Sequence, residues 1–285
     1  MKVMLCDIED AALVRAVADL KLTNADVDGV RADVSLKADL QAAAEATIAR
    51  YGKVHILVNN AGVGGGGSYR RWTDASWNWT LGVNLMSVVW GVEIFGPLIE
   101  GHGEGGQIVS TASIAGLIAG AGPAYNVTKY GVVALSEGLR VRLAPLGIGV
   151  SVLCPGFIRT KIMNSERNVP QRFAGPMEQP PTEGPGAEFL KIAEDRVSTG
   201  IDPLYVGELV REGIPCKSVC VGLKSLWEEA RSHRRNFRKR PGFHPAPTFS
   251  LSSASAFLCV NFAMSAGASE MPSRKSRPFV LGAYG

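Results

Sequence analysis

The chain is poor in cysteine, and what it has is scattered. Cys6, Cys154, Cys216, Cys220 and Cys259 form no CxxC pair and adjoin no histidine cluster. That argues against a disulfide framework and a zinc site, so no metal is expected and a reducing cytoplasm is the default compartment. A basic surplus is missing too. The six Lys/Arg of residues 231–240 (RSHRRNFRKR) exceed the whole net charge of +4, which leaves the remainder slightly acidic. Charge runs are usually solvated, and no nucleic-acid-binding core is expected. A secretory signal is not legible either, because Asp7, Glu9 and Asp10 follow Lys2 too closely. The uncharged run 248–266 just reaches the length of a membrane span, but serines and an asparagine dilute it, so no membrane insertion is expected. Internal repeats are absent.

What is present is enough apolar residue, 46% of 285, for one substantial core. Short β-rich runs alternate with helical patterns. Strands are expected at 2–6, 29–34, 54–58, 107–110 and 149–153, with helical stretches at 11–20, 36–51, 77–99 and 125–143 between them. This alternation predicts an α/β fold, a Rossmann-like doubly wound parallel sheet flanked by helices, since parallel neighbours need crossover connections. The run 166–186 (ERNVPQRFAGPMEQPPTEGPG) is rich in Pro and Gly and reads as a loop of the kind that covers a substrate. After Ile214 the alternation stops. Residues 1–214 are expected to form the domain and 215–285 an atypical, poorly ordered basic and Ser-rich tail, with 217–223 as a weak candidate for a last strand.

One stretch tests the functional reading. Asn59–Gly67 (NNAGVGGGG) contains Gly62-x-Gly64-x-x-Gly67 directly after an apolar run. A dinucleotide fingerprint should open a helix and meet an acid about twenty residues later. Residues 82–88 hold no acid, so the match fails. The acid in the right setting is Asp7, which ends the apolar run KVMLCD. A carboxylate there accepts hydrogen bonds from ribose hydroxyls and repels a 2′-phosphate, favouring NAD over NADP, and it places the expected glycine loop before Met1.

A second pattern carries chemistry. Tyr125 and Lys129 stand four apart in a helical pattern, on one face and one turn from each other. An ammonium beside a phenol stabilises phenolate, so such a tyrosine exchanges a proton with a carbonyl or alcohol oxygen. Taken alone, YxxxK is more often a surface pair. Ser113 lies twelve residues earlier in a loop after a strand, and its hydroxyl both donates and accepts. Ser110 is the weaker substitute, because it belongs to the strand.

These residues sit in five ordered segments: ILVNNAG (56–62), GVNL (82–85), IVSTASIAGL (108–117), YNVTK (125–129) and LCPGFIRT (153–160). In order and spacing they resemble the short-chain dehydrogenase/reductase family over roughly three quarters of the chain. The resemblance implies an NAD(P)-dependent oxidoreductase interconverting a small-molecule alcohol and a carbonyl compound. It implies Tyr125 as the acid/base, Lys129 binding the nicotinamide ribose, Ser113 bonding the substrate oxygen, and Asn84 steadying a water for proton relay. Cofactor contacts are implied for Asp33 and Val34 at the adenine, for Asn60, Ala61 and Gly62 on the ribose side, and for Pro155, Gly156, Ile158 and Thr160 beside the nicotinamide. Homodimers or tetramers through the helices near 77–99 and 125–143 are implied as well.

The chain departs from the family at both ends. The TGxxxGxG loop and the first strand are absent, and that strand stands mid-sheet in this fold. The sheet is therefore expected to be incomplete at its N-terminus, with two buried strands lacking a partner, and NAD binding to be poor. The simplest reading of both ends is a start at an internal methionine and a shifted frame after about Ile214. The alternative function is a catalytically silent Rossmann-like binding or regulatory protein.

Overall fold

The computed structural model describes residues 2–23, 25–65, 67, 72–120, 122–175, 183–214 and 278–282. In chain order these form β1 (Lys2–Asp7), α1 (Asp10–Leu22), β2 (Asp26–Arg31), α2 (Lys37–Tyr51), β3 (Ile56–Asn59), α3 (Asp74–Leu81), α4 (Ser87–Gly101), β4 (Gly106–Thr111), α5 (Pro123–Leu143), β5 (Ile148–Leu153), α6 (Gly184–Ser198), α7 (Pro203–Gly213) and β6 (Pro278–Gly282). The six strands make one sheet in the order β2-β1-β6-β3-β4-β5, every pairing parallel. The expected doubly wound architecture is present.

Strand periodicity assigns the two faces. Val3 and Leu5 of β1 join Leu13 and Leu20 of α1 and Val206 and Val210 of α7 in one buried layer. Their neighbours Met4 and Cys6 point the other way, into a layer with Ala43 and Ala44 of α2 and Phe95 and Ile99 of α4. Both layers are built of apolar side chains. Tyr51 closes the end of α2 by donating its hydroxyl to Val3 O at 2.9 Å. The helical run Asp74–Gly101 passes through a π-helical turn at Gly82–Met86. It is long and apolar enough to cross a membrane, but in this fold α4 packs on the sheet and buries Val88, Phe95 and Ile99.

Two findings differ from the sequence reading. The second strand lies three residues earlier than expected. Its DVDG opening is acidic, and Asp26 and Asp28 stand at the sheet edge, where Arg50 reaches them at 2.5 and 3.6 Å. The chain then leaves the ladder because Asp33 is caught by its own neighbours: its N–H donates to Asp39 Oδ2 and its carboxylate accepts from Ser35 N–H and Oγ.

The larger difference is at the centre of the sheet. The sequence reading left that position empty and set residues 215–285 apart. Instead β6 fills it, with Lys2 to Cys6 of β1 aligned on Pro278 to Gly282 along one edge and Ile56 to Val58 of β3 on Phe279 to Leu281 along the other. The physical reason is the one that made the gap look costly: β1 and β3 each present a buried ladder edge, and an unpaired buried backbone group costs about 1–3 kcal/mol. A five-residue run isolated from the alternation gave no strand signal of its own. The stretches 217–223, 231–240 and 248–266 lie outside the described residues.

Both edges of β6 are used, so proline within it removes a ladder bond wherever it is placed. Val280→Pro, and deletion of 278–285, are expected to abolish a cooperative unfolding transition or to lower the melting temperature by well over about 10 °C, because the penalties approach a typical domain stability of about 5–15 kcal/mol. Calorimetry against wild type checks this; unchanged melting would remove β6 from the sheet.

Candidate functional site

The carboxyl ends of the strands carry nearly every residue that the sequence marked. β4 and β5 continue past their ends as a pair: Ala112 N–H donates to Leu153 O at 2.7 Å and Ile114 N–H to Pro155 O at 2.6 Å. These bonds hold the Ser113 loop against the Pro155–Gly156 segment. Ser113 is buried and caps a short 3-10 turn, its Oγ accepting from Ala115 N–H at 3.1 Å. Ser110 lies inside β4, buried, with Asn59 Nδ2 at 3.4 Å from its Oγ. The weaker substitute therefore belongs to the strand.

Helix α5 opens with Pro123 in its first turn, where a missing N–H costs nothing. Its first two turns project Tyr125, half-buried, and Lys129, 2% exposed. Lys129 Nζ lies 5.5 Å from the centroid of the Tyr125 ring and donates to Thr111 O at 3.0 Å. An ammonium this deep needs such partners, and they fix its position.

Asn84 sits in the π-helical turn and is fully buried. Its Oδ1 accepts from Val63 N–H at 2.8 Å, and its Nδ2 donates to Val63 O at 2.9 Å and faces Thr128 Oγ1 at 3.4 Å. Such bulges recur at functional sites because they re-aim one side chain. Here it pins the loop after β3 beside α5. Gly62 completes the contact: a Cβ there would stand 3.4 Å from Lys129 Nζ and 3.7 Å from Asn84 Oδ1. Asn60 Oδ1 accepts from Thr111 Oγ1 at 3.0 Å, tying the same loop to β4. Among the described residues no helix opens at 62–67, in keeping with the rejected fingerprint, and the next described helix starts at Asp74.

The other half of the crevice lies over β1 and β2. Asp7 ends β1, 2% exposed, with Oδ1 accepting from Glu9 N–H at 2.8 Å. Asp33 follows β2, also buried. Val34 and Ala61 are packed together with Val63, Trp79 and Val83. Ile158 is buried and bridges Ile201, and Thr160 Oγ1 accepts from Ile162 N–H at 3.4 Å. The structure thus gathers Asn84, Tyr125, Lys129 and Gly62 closely, sets Ser113 and Pro155 on one adjoining pair of strand ends, and aligns Asp7, Asp33 and Val34 along the opposite half.

Sequence reasoning missed how residues 162–173 cross this surface. Arg167 donates Nε at 3.0 Å and Nη2 at 2.7 Å to Glu9 Oε1, and Asn168 Nδ2 joins them at 2.7 Å. Arg172 Nη2 reaches Asp33 Oδ2 at 2.7 Å. The available signal was two arginines in a segment read as a loop, with acids following β1 and β2. The Asn168 amide, then Arg167, holds the Glu9 carboxyl below its ordinary value.

Cys154 adjoins this surface, beside Lys129 and the Ser113 backbone, and packs against the apolar cluster of Val88, Ala112 and Val132. Burial pushes the Cys154 thiol up to about 12, so it packs rather than reacts. Among the described residues, His55, His102 and Glu104 come close enough to hold a metal ion, at the amino ends of β3 and β4. Their spacing in sequence hid them. His102 Nε2 meets Val54 O at 2.7 Å, while its Nδ1 accepts from Glu104 N–H, so both ring nitrogens are engaged.

Known proteins resemble this chain in sequence and fold. The family described as "short chain dehydrogenase" matches residues 1–171. The "CLA biosynthesis dehydrogenase/reductase" of Lactiplantibacillus plantarum is 30% identical over 181 residues, 62% of this chain and 63% of that protein; the chain thus spans less than two thirds of this relative's length. A crystal structure of a short chain dehydrogenase/reductase from Burkholderia phymatum in complex with NAD superposes with a TM-score of 0.76 at 35% identity, covering 87% of this chain and 89% of that one. A metagenomic short-chain oxidoreductase in complex with NADP gives 0.52 at 27% identity over 56% of this chain and 72% of that one.

The Glu9 tie has a pH signature. Its folded value lies below the unfolded one, so its stabilisation is present above the carboxylate range and fades as pH falls through it. Glu9→Gln is expected to destabilise the chain by about 1 kcal/mol at neutral pH and by progressively less as the pH falls through the carboxylate range. Thermal unfolding of both proteins across that range checks it; a constant difference would contradict the tie.

Proposed function

For a chain that belongs to the short-chain dehydrogenase/reductase family, we propose NAD(H)-dependent interconversion of a small-molecule alcohol and a carbonyl compound, with Tyr125 as general acid/base. The observation that carries this is the buried Lys129 ammonium, fixed by Thr111 O and 5.5 Å from the Tyr125 ring. A fixed positive charge there stabilises the phenolate left when Tyr125 gives its proton to a carbonyl oxygen, and the reverse step when it takes one from an alcohol. Ser113, in the neighbouring loop, has a hydroxyl suited to an oxygen that changes between carbonyl and alkoxide. Bound nicotinamide supplies the hydride or accepts it.

The residues present fit the two ends of that cofactor, while the TGxxxGxG loop that would hold its pyrophosphate is absent from this sequence. Doubly wound sheets take ligands in the crevice outside the strand carboxyl ends at the point where the order reverses, here beside β6 and β3. Gly62 leaves the space next to Lys129 that a side chain would fill, which suits a ribose held by Lys129. Asn60, Ala61, Pro155, Gly156, Ile158 and Thr160 would flank the nicotinamide half, and Asp7, Asp33 and Val34 the adenosine half. The Asp7 carboxylate favours NAD over NADP. Asn84, locked to Val63, holds the floor of the site, and its family role in a water relay is part of the same proposal. Self-association is supported by Val127, Tyr130 and Val141, exposed on α5. The cytoplasm remains the proposed compartment, with no nucleic-acid or membrane partner.

NADH titration followed by energy transfer from the tryptophans is expected to saturate only weakly, because the TGxxxGxG loop is absent from this sequence, and Tyr125→Phe to bind NADH within about twofold of wild type. Turnover of any alcohol or carbonyl found in an absorbance screen should fall by about 10²–10⁴-fold in that variant. Retained turnover would remove Tyr125 from the chemistry. Asp7→Ala should shift the ratio of NADH to NADPH affinity toward NADPH by about tenfold or more; an unchanged ratio would contradict the assignment of Asp7.

A further inference from the structure

The ties that hold residues 162–173 down use the same groups that the adenosine half of a cofactor would need. Arg172 is bonded to Asp33, whose side chain is 8% exposed, and to Ser35 Oγ. The adjoining Phe173, with Val169, packs into the apolar cluster that contains Val34 and Ala61. Arg167 and Asn168 hold Glu9, whose own N–H is bonded to Asp7. Ser165, 2% exposed, accepts from Gly64 N–H at 3.1 Å and donates to Ile162 O at 2.6 Å. One segment is thus fastened at the carboxyl ends of β1, β2 and β3 in turn.

We propose that residues 162–173 form a strap that competes with adenine for its subsite. Phe173 and Val169 supply an apolar contact there, and Arg172 engages Asp33. Cofactor binding requires Arg172 and Phe173 to leave. Arg172 and Phe173 are then affinity-determining residues of the site without touching the reacting atoms. The proposal rests on the cofactor reading above, since only a ligand laid across β1 and β2 meets this segment. The fastening favours release over permanent cover. It consists of ion pairs and hydrogen bonds to side chains, plus two partly buried apolar groups, and no ladder joins it to the sheet.

The test separates the two halves of the ligand. Arg172→Ala and Arg167→Ala each cut a different tie. Isothermal titration of both variants and of wild type with AMP, with nicotinamide mononucleotide and with NADH is the measurement. Each variant is expected to bind AMP about tenfold more tightly than wild type does, the scale of one charge-assisted hydrogen bond. The mononucleotide should be bound equally by all three. AMP affinity unchanged or weakened in both variants would overturn the strap while leaving the cofactor reading intact. A folded wild type and variants that bind neither AMP nor NADH would overturn both. Loss of folding in both variants would make the segment a fixed structural part and overturn the strap alone, provided wild type binds NADH.

Discussion

The sheet depends on one pairing, the seating of β6 between β1 and β3. Parallel strands buried on both faces have no solvent to satisfy a bare edge, so a gap at the centre would leave two rows of backbone groups without partners. With β6 in place, β2 and β5 are the edges among the described strands, and β2 meets water with Asp26 and Asp28. The same pairing fixes the distance between the β1 and β3 ends, and therefore between Asp7 on one side and the Asn60–Gly62 loop on the other. Fold closure and the width of the crevice are one constraint.

Within that frame each half of the crevice is held by a different device. The α5 half is rigid: Asn84 locks to Val63, Asn60 to Thr111, and Lys129 to Thr111 O. Buried, satisfied polar groups of this kind fix geometry at little entropic cost when ligand arrives. The β1–β2 half is held by arginine–carboxylate ties from residues 162–173, which are more exposed. Proton chemistry needs the first kind of support, and entry of a large ligand needs the second.

Much of this was legible in the sequence. Near-continuous apolar runs gave β1, β4 and β5 nearly to the residue, and the i, i+4 relation of Tyr125 and Lys129 gave their shared face. Asp7 was found by asking what a failed glycine pattern required. Other features depend on contacts no local pattern encodes. Gly62 matters because Lys129, sixty-seven residues away in sequence, passes beside it. The β2 boundary turned on Arg50. Helices α6 and α7 were overlooked after a Pro- and Gly-rich run. The PFVLG strand carries no more signal than any short apolar run; its role comes from two waiting edges.

The most direct measurement of that pairing is amide hydrogen exchange read by mass spectrometry on peptides spanning 278–282, without any ligand. A strand bonded on both sides should exchange as slowly as the peptides of β1 and β3 and open with them in one cooperative unit. Exchange at the rate of an unstructured chain, with β1 and β3 still protected, would contradict a sheet built around β6.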